Sequence, residues 1–349
     1  MKRFAFAIPG DLALPTGGYG YDRRVIAGCR ADGWQVDHLQ LAGDFPGPRE
    51  ESLQAAEAAF AKLPAEFPIL VDGLAFGALP VDLLRRAGRR FVALVHHPLA
   101  METGLPIREH ERLQLSEREA LAEARAIITS SPATARNLVA DYGVAAERIT
   151  VALPGIEPAS RALGGNSPPL ILSVGSLVPR KGYPVLVEAL SRLTALDWRC
   201  RIIGAKDRDP QETGRIAEAI ERHSLSARIL LAGEASEQAI GDAYAASDIF
   251  VLPSFHEGYG IVLAEAQARG LPIVATTAGA IPETVPPSAG LLVPPGDTTA
   301  LAEAIALLLQ EPERRRAIAE GSWQAGMTLP RWSETAATIA KVMSNVVSM

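Results

Sequence analysis

The feature that most constrains this sequence is an alternation of short apolar runs with helical segments along the whole chain. Short apolar runs suit buried strands, and the segments between them suit helices that cross over between parallel strands. The alternation therefore predicts parallel sheets covered by helices on both faces. In the first half of the chain, the predicted strands lie in RFAFAI, WQVDHLQL, FPILVDG, RRFVALVHH, RAIITSS and RITVALPG.

A stretch rich in Pro, Gly, Ser and Asn, at residues 154–169, interrupts this alternation and is typical of a linker. The alternation then resumes, and 349 residues are in any case long for a single core. We therefore expect an α/β fold of two doubly wound, Rossmann-like domains, residues 1–160 and 161–328, that face each other across a cleft. The amphipathic segment 329–349 is predicted to be a helix that packs back on the first domain. The later predicted strands lie in LILSVGSL, WRCRIIGA, ARILLAGEA, DIFVLPS, LPIVATT and AGLLVPPG.

Composition and charge argue against several classes of protein. Hydrophobic residues make up 48% of the chain and charged residues 21%, which argues against disorder. A net charge of -6 argues against broad attraction to nucleic acid or anionic lipid. The arginines at positions 85, 86, 89 and 90 could form a local basic patch, but the solvated end of a surface helix is the plainer interpretation.

Cysteine usage and hydropathy bear on the compartment. Cys29 and Cys200 lie far apart in the sequence and have no metal-binding or redox spacing, so reduced thiols are expected. The N-terminal apolar run is short and soon reaches Pro9, which favours a strand over a signal peptide. No apolar stretch approaches the roughly 20 residues of a membrane span. We expect a cytoplasmic protein, monomer or homodimer, and leave peripheral membrane contact open.

The segment SFHEGYGIVLAEA, residues 254–266, places two glutamates eight positions apart around a glycine turn. If a helix begins near Gly260, Glu257 lies in the preceding loop and Glu265 inside the helix. Gly258 and Gly260 would let the backbone approach a ligand, and free N–H groups at a helix start attract phosphate. The alternative interpretation is one capping glutamate and one surface glutamate.

Three further groups of residues invite a functional interpretation. The adjacent Arg180 and Lys181 follow a predicted strand and could neutralise a diphosphate, although an exposed turn would carry such charges too. His96 and His97 end another strand, where a buried core histidine or a metal ligand are the alternatives. The D-x-D string in KDRDP, residues 206–210, is a weak metal-binding match and is interpreted as a solvated loop.

Together these motifs resemble the retaining GT-B glycosyltransferases of group 1, known as glycosyltransferase family four. The resemblance covers nearly the whole chain and is more specific in the second half, where an E-x₇-E element precedes a glycine loop and Pro-Glu. The segments that carry it are EGYGIVLAEA, RGLPIVATTAGAIPE, SVGSLVPRKG, GLLVPPGDTTALAEAI, PTGGYG, VALVHH, IITSSPATARNL and ITVALPGIE.

The resemblance implies roles for individual residues. Glu257 would lie near the transferred sugar, Glu265 would bind ribose, and His96 would lie beside the sugar, with His97 as the neighbouring candidate. Many family members carry Arg where this chain has Ser176, so Arg180 would take over that charge. The catalytic set is then His96, Glu257, Arg180 and Lys181. The set expected to bind the donor is Gly17, Gly18, Arg180, Lys181, Glu257, Gly258, Tyr259, Gly260, Ile261 and Glu265.

The implied reaction moves a sugar from a nucleoside diphosphate sugar to a hydroxyl acceptor with retention at the anomeric carbon. A UDP-hexose is the first expectation for the donor and a GDP-sugar the second. The resemblance implies an acceptor domain followed by a donor domain, no metal, no other cofactor and no nucleic-acid partner. Two alternatives stay open: a nucleotide-sugar epimerase on the same scaffold, and a sugar-nucleotide-binding protein without catalysis. No residue identifies the acceptor.

Overall fold

A computed structural model describes residues 2–348 and divides the chain into two compact units. The first unit runs up to Gly155 and also contains the residues from Pro330 onward, whereas the second unit is Ile156–Leu329. Every strand predicted above is present, and each unit contains a six-stranded sheet of parallel strands. The predicted fold class of two Rossmann-like α/β domains is therefore confirmed.

The first unit has the strand order β2-β1-β3-β4-β5-β6. All neighbouring strands pair in parallel, with Phe6 opposite Leu70 and Val71 opposite Ala93 in the central ladders. The strands are β1 (Arg3–Pro9), β2 (Gln35–Leu41), β3 (Pro68–Asp72), β4 (Arg90–Val95), β5 (Ala126–Thr129) and β6 (Ile149–Val151). The helices are α1 (Gly17–Ala31), α2 (Glu50–Ala61), α3 (Gly73–Phe76), α4 (Val81–Ala87), α5 (Ile107–Glu123) and α6 (Pro132–Tyr142).

The second unit has the strand order β12-β11-β10-β7-β8-β9, which is the doubly wound order of a Rossmann sheet. Its strands are β7 (Leu170–Val174), β8 (Arg199–Ile203), β9 (Ile229–Gly233), β10 (Ile249–Leu252), β11 (Ile273–Thr276) and β12 (Gly290–Val293). Its helices are α7 (Tyr183–Ser191), α8 (Pro210–Arg222), α9 (Glu237–Ala245), α10 (Ile261–Gln267), α11 (Ile281–Thr284), α12 (Thr298–Gln310) and α13 (Pro312–Met327). Apolar clusters line both faces of this sheet, as a buried parallel sheet requires.

The C-terminal helix α14 (Trp332–Ser348) packs on α1 within the first unit. Small residues allow the close approach, since a Cβ added at Gly28 would lie only 2.6 Å from that of Ala336. The ring of Trp332 meets the edge of Tyr21, with ring centres 5.6 Å apart. The Thr335 hydroxyl donates a hydrogen bond to the Leu153 carbonyl at 2.7 Å. These contacts fix the returning chain to the first unit.

The segment interpreted as a linker is attached to the second unit. The Ala162 N–H donates to the Arg269 carbonyl, and the Asn166 amide donates to the carboxylate of Asp248 at 2.7 Å. The same carboxylate accepts the backbone N–H of Leu170 at the start of β7. The units divide after Gly155, slightly before the predicted boundary at residue 160.

Two smaller points concern the surface. Arg85 and Arg86 lie in the last turn of α4, as expected of a surface helix, and form ion pairs with Glu123 and Glu57. Arg89 follows this helix, and Arg90 is the first residue of β4. Within residues 2–348, no helix is both long enough and apolar enough to cross a membrane.

Candidate functional site

In the second unit, the order of the strands reverses between β7 and β10. Ligands of open α/β sheets bind outside the carboxyl ends of the strands at such a switch point. The loop after β7 carries Arg180 and Lys181, and the loop after β10 carries Glu257. Because the two strands are neighbours in the sheet, topology brings these three predicted site residues together.

The Arg180–Lys181 loop is held in place by its backbone. A 3₁₀ turn, Pro179–Lys181, ends at Gly182, whose φ of +66° suits glycine. A Cβ at Gly182 would lie 2.3 Å from the Pro253 carbonyl oxygen. The Phe255 N–H donates to the Arg180 carbonyl at 2.8 Å, which fastens this loop to the one after β10.

Glu257 is buried and surrounded by donors. Lys181 Nζ and the Ser254 hydroxyl each donate to its Oε1 at 2.6 Å, and Arg180 Nη1 lies 3.6 Å from its Oε2. Burial alone would raise the pKa of Glu257, but the positive charges of Lys181 and Arg180 outweigh it and lower the pKa to about 2. The carboxylate is therefore ionised at neutral pH, and the three side chains form one charged cluster.

The glycine turn opens helix α10 as the sequence indicated. Gly260 is the residue before the helix and has a φ of +85°, so Glu257 lies in the loop and Glu265 inside the helix. Glu265 Oε2 accepts a hydrogen bond from the Tyr244 hydroxyl at 2.9 Å. Of the other residues predicted to bind the donor, Gly258 and Tyr259 are buried and Ile261 is half-buried.

In the first unit, His96 follows β4 and is enclosed by α1 and β3. Its Nε2 lies 3.3 Å from Asp22 Oδ1 and 3.5 Å from Asp72 Oδ2. The Tyr21 ring meets the imidazole edge-on at 5.0 Å. A Cβ at Gly18 would lie 3.4 Å from the imidazole, so the start of α1 passes close to the ring. Of the predicted residues, Gly18 and His96 are thus brought together.

The other predicted residues around this histidine are placed as follows. Gly17 is the first residue of α1, which Thr16 caps by accepting the Tyr19 N–H. His97 Nε2 lies 3.7 Å from a carboxylate oxygen of Glu102, so the two adjacent histidines contact different acidic residues.

Asp22 and Asp72 create an unusual electrostatic environment for His96. Burial raises the pKa of Asp22, since its carboxylate is fully enclosed and its Oδ2 has no hydrogen-bond partner among residues 2–348. Burial alone would lower the pKa of His96, but hydrogen bonds and charge from both aspartates outweigh it and raise that pKa. The ring is therefore stabilised as an imidazolium.

Metal binding was an alternative for the histidines and for the D-x-D string. Among the described residues, Asp22, Asp72 and His96 form the one group whose N and O atoms, all within 4.8 Å of one another, are close enough for such a site. The distances fit equally a single N–H shared by two carboxylates, which lengthens both bonds. The D-x-D string lies in a loop, and Asp209 caps helix α8 by accepting the Glu212 N–H. The string is thus largely exposed and lies outside helices and strands up to Asp209.

The sequence analysis missed Asp22 and Asp72. A signal for Asp72 was present: it ends β3, the strand beside β4, so its side chain and His96 meet at the same edge of the sheet. Asp72 also caps α3 by accepting the Leu74 N–H at 2.9 Å. Asp22 lies four residues after Gly18 on α1, which is the spacing of one helix face.

Comparison with known proteins supports the fold described above. Residues 159–324 match the model for glycosyl transferases group 1, and residues 28–160 match that for glycosyltransferase family 4. The chain belongs to the group 1 GT-B glycosyltransferases.

Two relatives illustrate the similarity within the group 1 glycosyltransferases. A GDP-mannose-dependent monoacylated α-(1-6)-phosphatidylinositol monomannoside mannosyltransferase from Corynebacterium glutamicum is 34% identical over 204 residues, which are 52% of this chain and 51% of that protein. A D-inositol 3-phosphate glycosyltransferase from Xylanimonas cellulosilytica is 30% identical over 246 residues, 65% of this chain and 58% of that protein. The chain thus spans between about half and three fifths of the length of these relatives.

Among solved structures, the sucrose-phosphate synthase from Thermosynechococcus elongatus has the same fold. It superposes with a TM-score of 0.86, covering 99% of this chain and all of that one, at 22% sequence identity. At this level of identity the similarity concerns the fold alone.

Proposed function

We propose that this protein transfers a sugar from a nucleoside diphosphate sugar to a hydroxyl group of an acceptor. The observation that carries the proposal is the buried cluster of Arg180, Lys181 and Glu257 at the switch point of the second sheet, in a chain of this family. Two cations beside an ionised carboxylate match a reaction in which opposite charges develop on neighbouring atoms.

The residues of the cluster would stabilise opposite charges during the reaction. As the bond to the diphosphate lengthens, negative charge grows on the leaving oxygen, and Arg180 and Lys181 would stabilise it. Positive charge grows on the sugar ring, and the carboxylate of Glu257, ionised at neutral pH, would stabilise that charge. Glu265, held by Tyr244, is then the residue that receives ribose hydroxyls.

Several finer properties belong to the same proposal. The second unit is the donor domain, and the first unit, which contains His96, Gly17 and Gly18, is the acceptor domain. The anomeric configuration is retained. Because Arg180 and Lys181 supply positive charge at the leaving group, turnover should persist in EDTA. Loss of turnover on chelation, with recovery in Mn²⁺, would contradict this part.

Two donors are compared in the test. A UDP-hexose is the expectation from the sequence, whereas the name of the Corynebacterium relative specifies GDP-mannose. A donor that binds should raise stability by about 2.7 kcal/mol at a hundred times its dissociation constant. Thermal melting with UDP-glucose and GDP-mannose therefore selects the donor before any acceptor is known.

Turnover then tests the reaction itself. The selected donor is incubated with a panel of hydroxyl acceptors that includes D-inositol 3-phosphate, the acceptor in the name of the Xylanimonas relative. Release of nucleoside diphosphate with formation of a glycoside, and its loss in Lys181→Met, is the expected result. Carbon–proton coupling at the anomeric centre of the product tests retention. Donor binding without turnover would favour the non-catalytic alternative, and an epimerised donor without acceptor would favour the epimerase.

A further inference from the structure

The first unit has a cavity at the edge of its sheet that lies opposite to the edge where His96 is found. The cavity has a volume of about 670 Å³ and lies beside the starts of β4 and β5. Since β4 begins at Arg90 and His96 follows its end, about 20 Å separates the two edges, at about 3.3 Å per strand residue. We call it the arginine cavity, because its charged lining residues are Arg85, Arg89, Arg90, Arg125, Arg148 and Glu123.

The arginine cavity is a local exception to the charge of the chain. Its five arginines and one glutamate give a formal charge of +4, whereas the whole chain carries -6. The carboxylate of Glu123 accepts from Arg85 at 2.8 Å, and the other arginines of the lining have no carboxylate partner within residues 2–348. Asp82 and Glu119 also act on Arg85 but do not line the cavity. Like charges repel one another, so an anion in the cavity would stabilise the folded chain.

Two of these arginines also have a structural role at the ends of helices. Arg148 Nη2 donates to the Leu121 carbonyl at 2.8 Å near the end of α5, and Arg90 Nη1 donates to the Val347 carbonyl at 2.7 Å near the end of α14. These bonds use one nitrogen of each guanidinium, which has five N–H donors in all. Carbonyl groups at a helix end carry only partial negative charge. The structural role therefore explains where these arginines lie and leaves most of their charge uncompensated.

Two other arginines have donors that no residue in 2–348 accepts. Arg89 Nη2 donates to the Ala61 carbonyl at 3.2 Å, but its Nε is enclosed and has no hydrogen-bond partner among these residues. Buried donors are almost always paired in folded proteins, and an anion that accepts from this N–H would satisfy it. The guanidinium of Arg125 is exposed and makes no hydrogen bond or ion pair with any described residue. Donors from two chain segments are thus available at one cavity.

The type of cation and the size of the cavity indicate the chemistry of the ligand. All the cations that line the cavity within the described residues are arginines, whose planar guanidinium groups donate paired hydrogen bonds to phosphate oxygens. A volume of about 670 Å³ is that of a pocket for a small molecule. A concave site of this size suits a discrete ligand better than the surface of a lipid bilayer.

We propose that the arginine cavity binds a small molecule that carries a phosphate or diphosphate group, through Arg89, Arg125 and Arg148. The site lies within the first unit and uses none of the residues of the proposed donor site. It therefore goes beyond the proposed function and does not depend on it. Glu123 limits the affinity, because it keeps Arg85 in an ion pair.

Isothermal titration calorimetry of the full chain with inorganic pyrophosphate tests the proposal. The wild type should show two sites, of which Arg125→Gln weakens one at least about tenfold, as expected for a lost hydrogen bond to a charged group, and Lys181→Met weakens the other. Arg125 is exposed, so its variant should fold, and the melting temperature without ligand checks this. Binding that depends on Lys181 alone would overturn the proposal. Binding that depends on Arg125 alone would support it and count against the donor site.

Two further variants separate a specific site from general electrostatic attraction. Glu123→Gln removes the carboxylate of the cavity and releases Arg85, so pyrophosphate should bind about fivefold more tightly, the factor expected of one charge at contact distance in water. Arg86→Gln is the matched control, since Arg86 follows Arg85 in α4 but pairs with Glu57 and does not line the cavity. Its affinity should be unchanged. Equal weakening in Arg86→Gln and Arg125→Gln would refute the specific site.

Vesicles test whether the phosphate belongs to a small molecule or to a lipid. The full chain is sedimented with vesicles of phosphatidylcholine and with vesicles that also contain phosphatidylglycerol. The proposal predicts that the wild type and Arg125→Gln sediment equally with both. Sedimentation with phosphatidylglycerol that requires Arg125, without binding of pyrophosphate at the Arg125-dependent site, would overturn the assignment to a small molecule.

Discussion

The ion pair between Lys181 and Glu257 should contribute strongly to the stability of the second unit. The pair has an Nζ–Oε1 distance of 2.6 Å, and both side chains are largely buried. The pKa of Glu257 is lowered from 4.5 to about 2, which corresponds to about 3 kcal/mol at about 1.36 kcal/mol per pKa unit. Arg180 supplies part of this, so a coupling free energy of about 2 to 3 kcal/mol is expected for Lys181 with Glu257.

A double-mutant cycle measures that coupling. Urea unfolding at pH 7 is compared for the wild type, Lys181→Met, Glu257→Gln and the double variant. Arg161 and Glu320 form the matched control pair, because they lie in the same unit at 2.7 Å but are exposed. Their cycle should give no measurable coupling, since solvent screens exposed pairs. Equal coupling in the two cycles would refute the role assigned to burial.

The same cycle should depend on pH in a defined direction. Glu257 has a lower pKa in the folded chain than in the unfolded chain, so its stabilising effect is complete above about pH 4.5 and is lost as the pH falls through about 2. At pH 3 the coupling should be about half of its value at pH 7. A coupling that stays constant from pH 7 to pH 3 would contradict the ionised state of this carboxylate.

Three further outcomes are expected. Gly182→Ala should lower the free energy of unfolding of the second unit by clearly more than Gly88→Ala lowers that of the first unit, for which about 1 kcal/mol is expected. Both positions have positive φ, but only at Gly182 would a Cβ lie 2.3 Å from a backbone atom. Equal losses in urea unfolding would contradict this reasoning. Burial raises the pKa of Cys29 and of Cys200 to about 12, so neither thiol should react with a disulfide reagent at pH 8 before unfolding, and rapid reaction of the native chain would be contradictory. Tyr244→Phe should lower the free energy of unfolding by about 1 to 2 kcal/mol, because the hydrogen bond from its hydroxyl to Glu265 is lost. An unchanged free energy of unfolding would show that this bond contributes nothing.

The local pattern of apolar runs and glycine turns was sufficient to predict much of this fold. Each apolar run became a strand of a parallel sheet, and the helix after the glycine turn begins where Gly260 indicated. What local pattern could not give is the order of strands, because pairing between β7 and β10 joins residues far apart in the sequence. The same order brings Lys181 to Glu257, so neither their ion pair nor the pKa of Glu257 followed from the sequence.

The cluster around His96 shows a second kind of limit. His96 was identified through the family resemblance, and a resemblance of this kind points only to residues that recur in the family. Asp22 carries no such signal, and its helix reads as an ordinary amphipathic segment with one aspartate on it. Only packing reveals that this aspartate is on the buried face and against the imidazole.

A crystal structure of the chain with the donor selected by thermal melting tests the central claim most directly. The claim predicts that pyrophosphate oxygens lie within about 3.2 Å of Lys181 Nζ and of the Arg180 guanidinium. It also predicts that Glu257 stays beside both cations. A pyrophosphate bound anywhere else on the chain, with the Lys181–Glu257 pair undisturbed and no ligand at the loops after β7 and β10, would contradict the account.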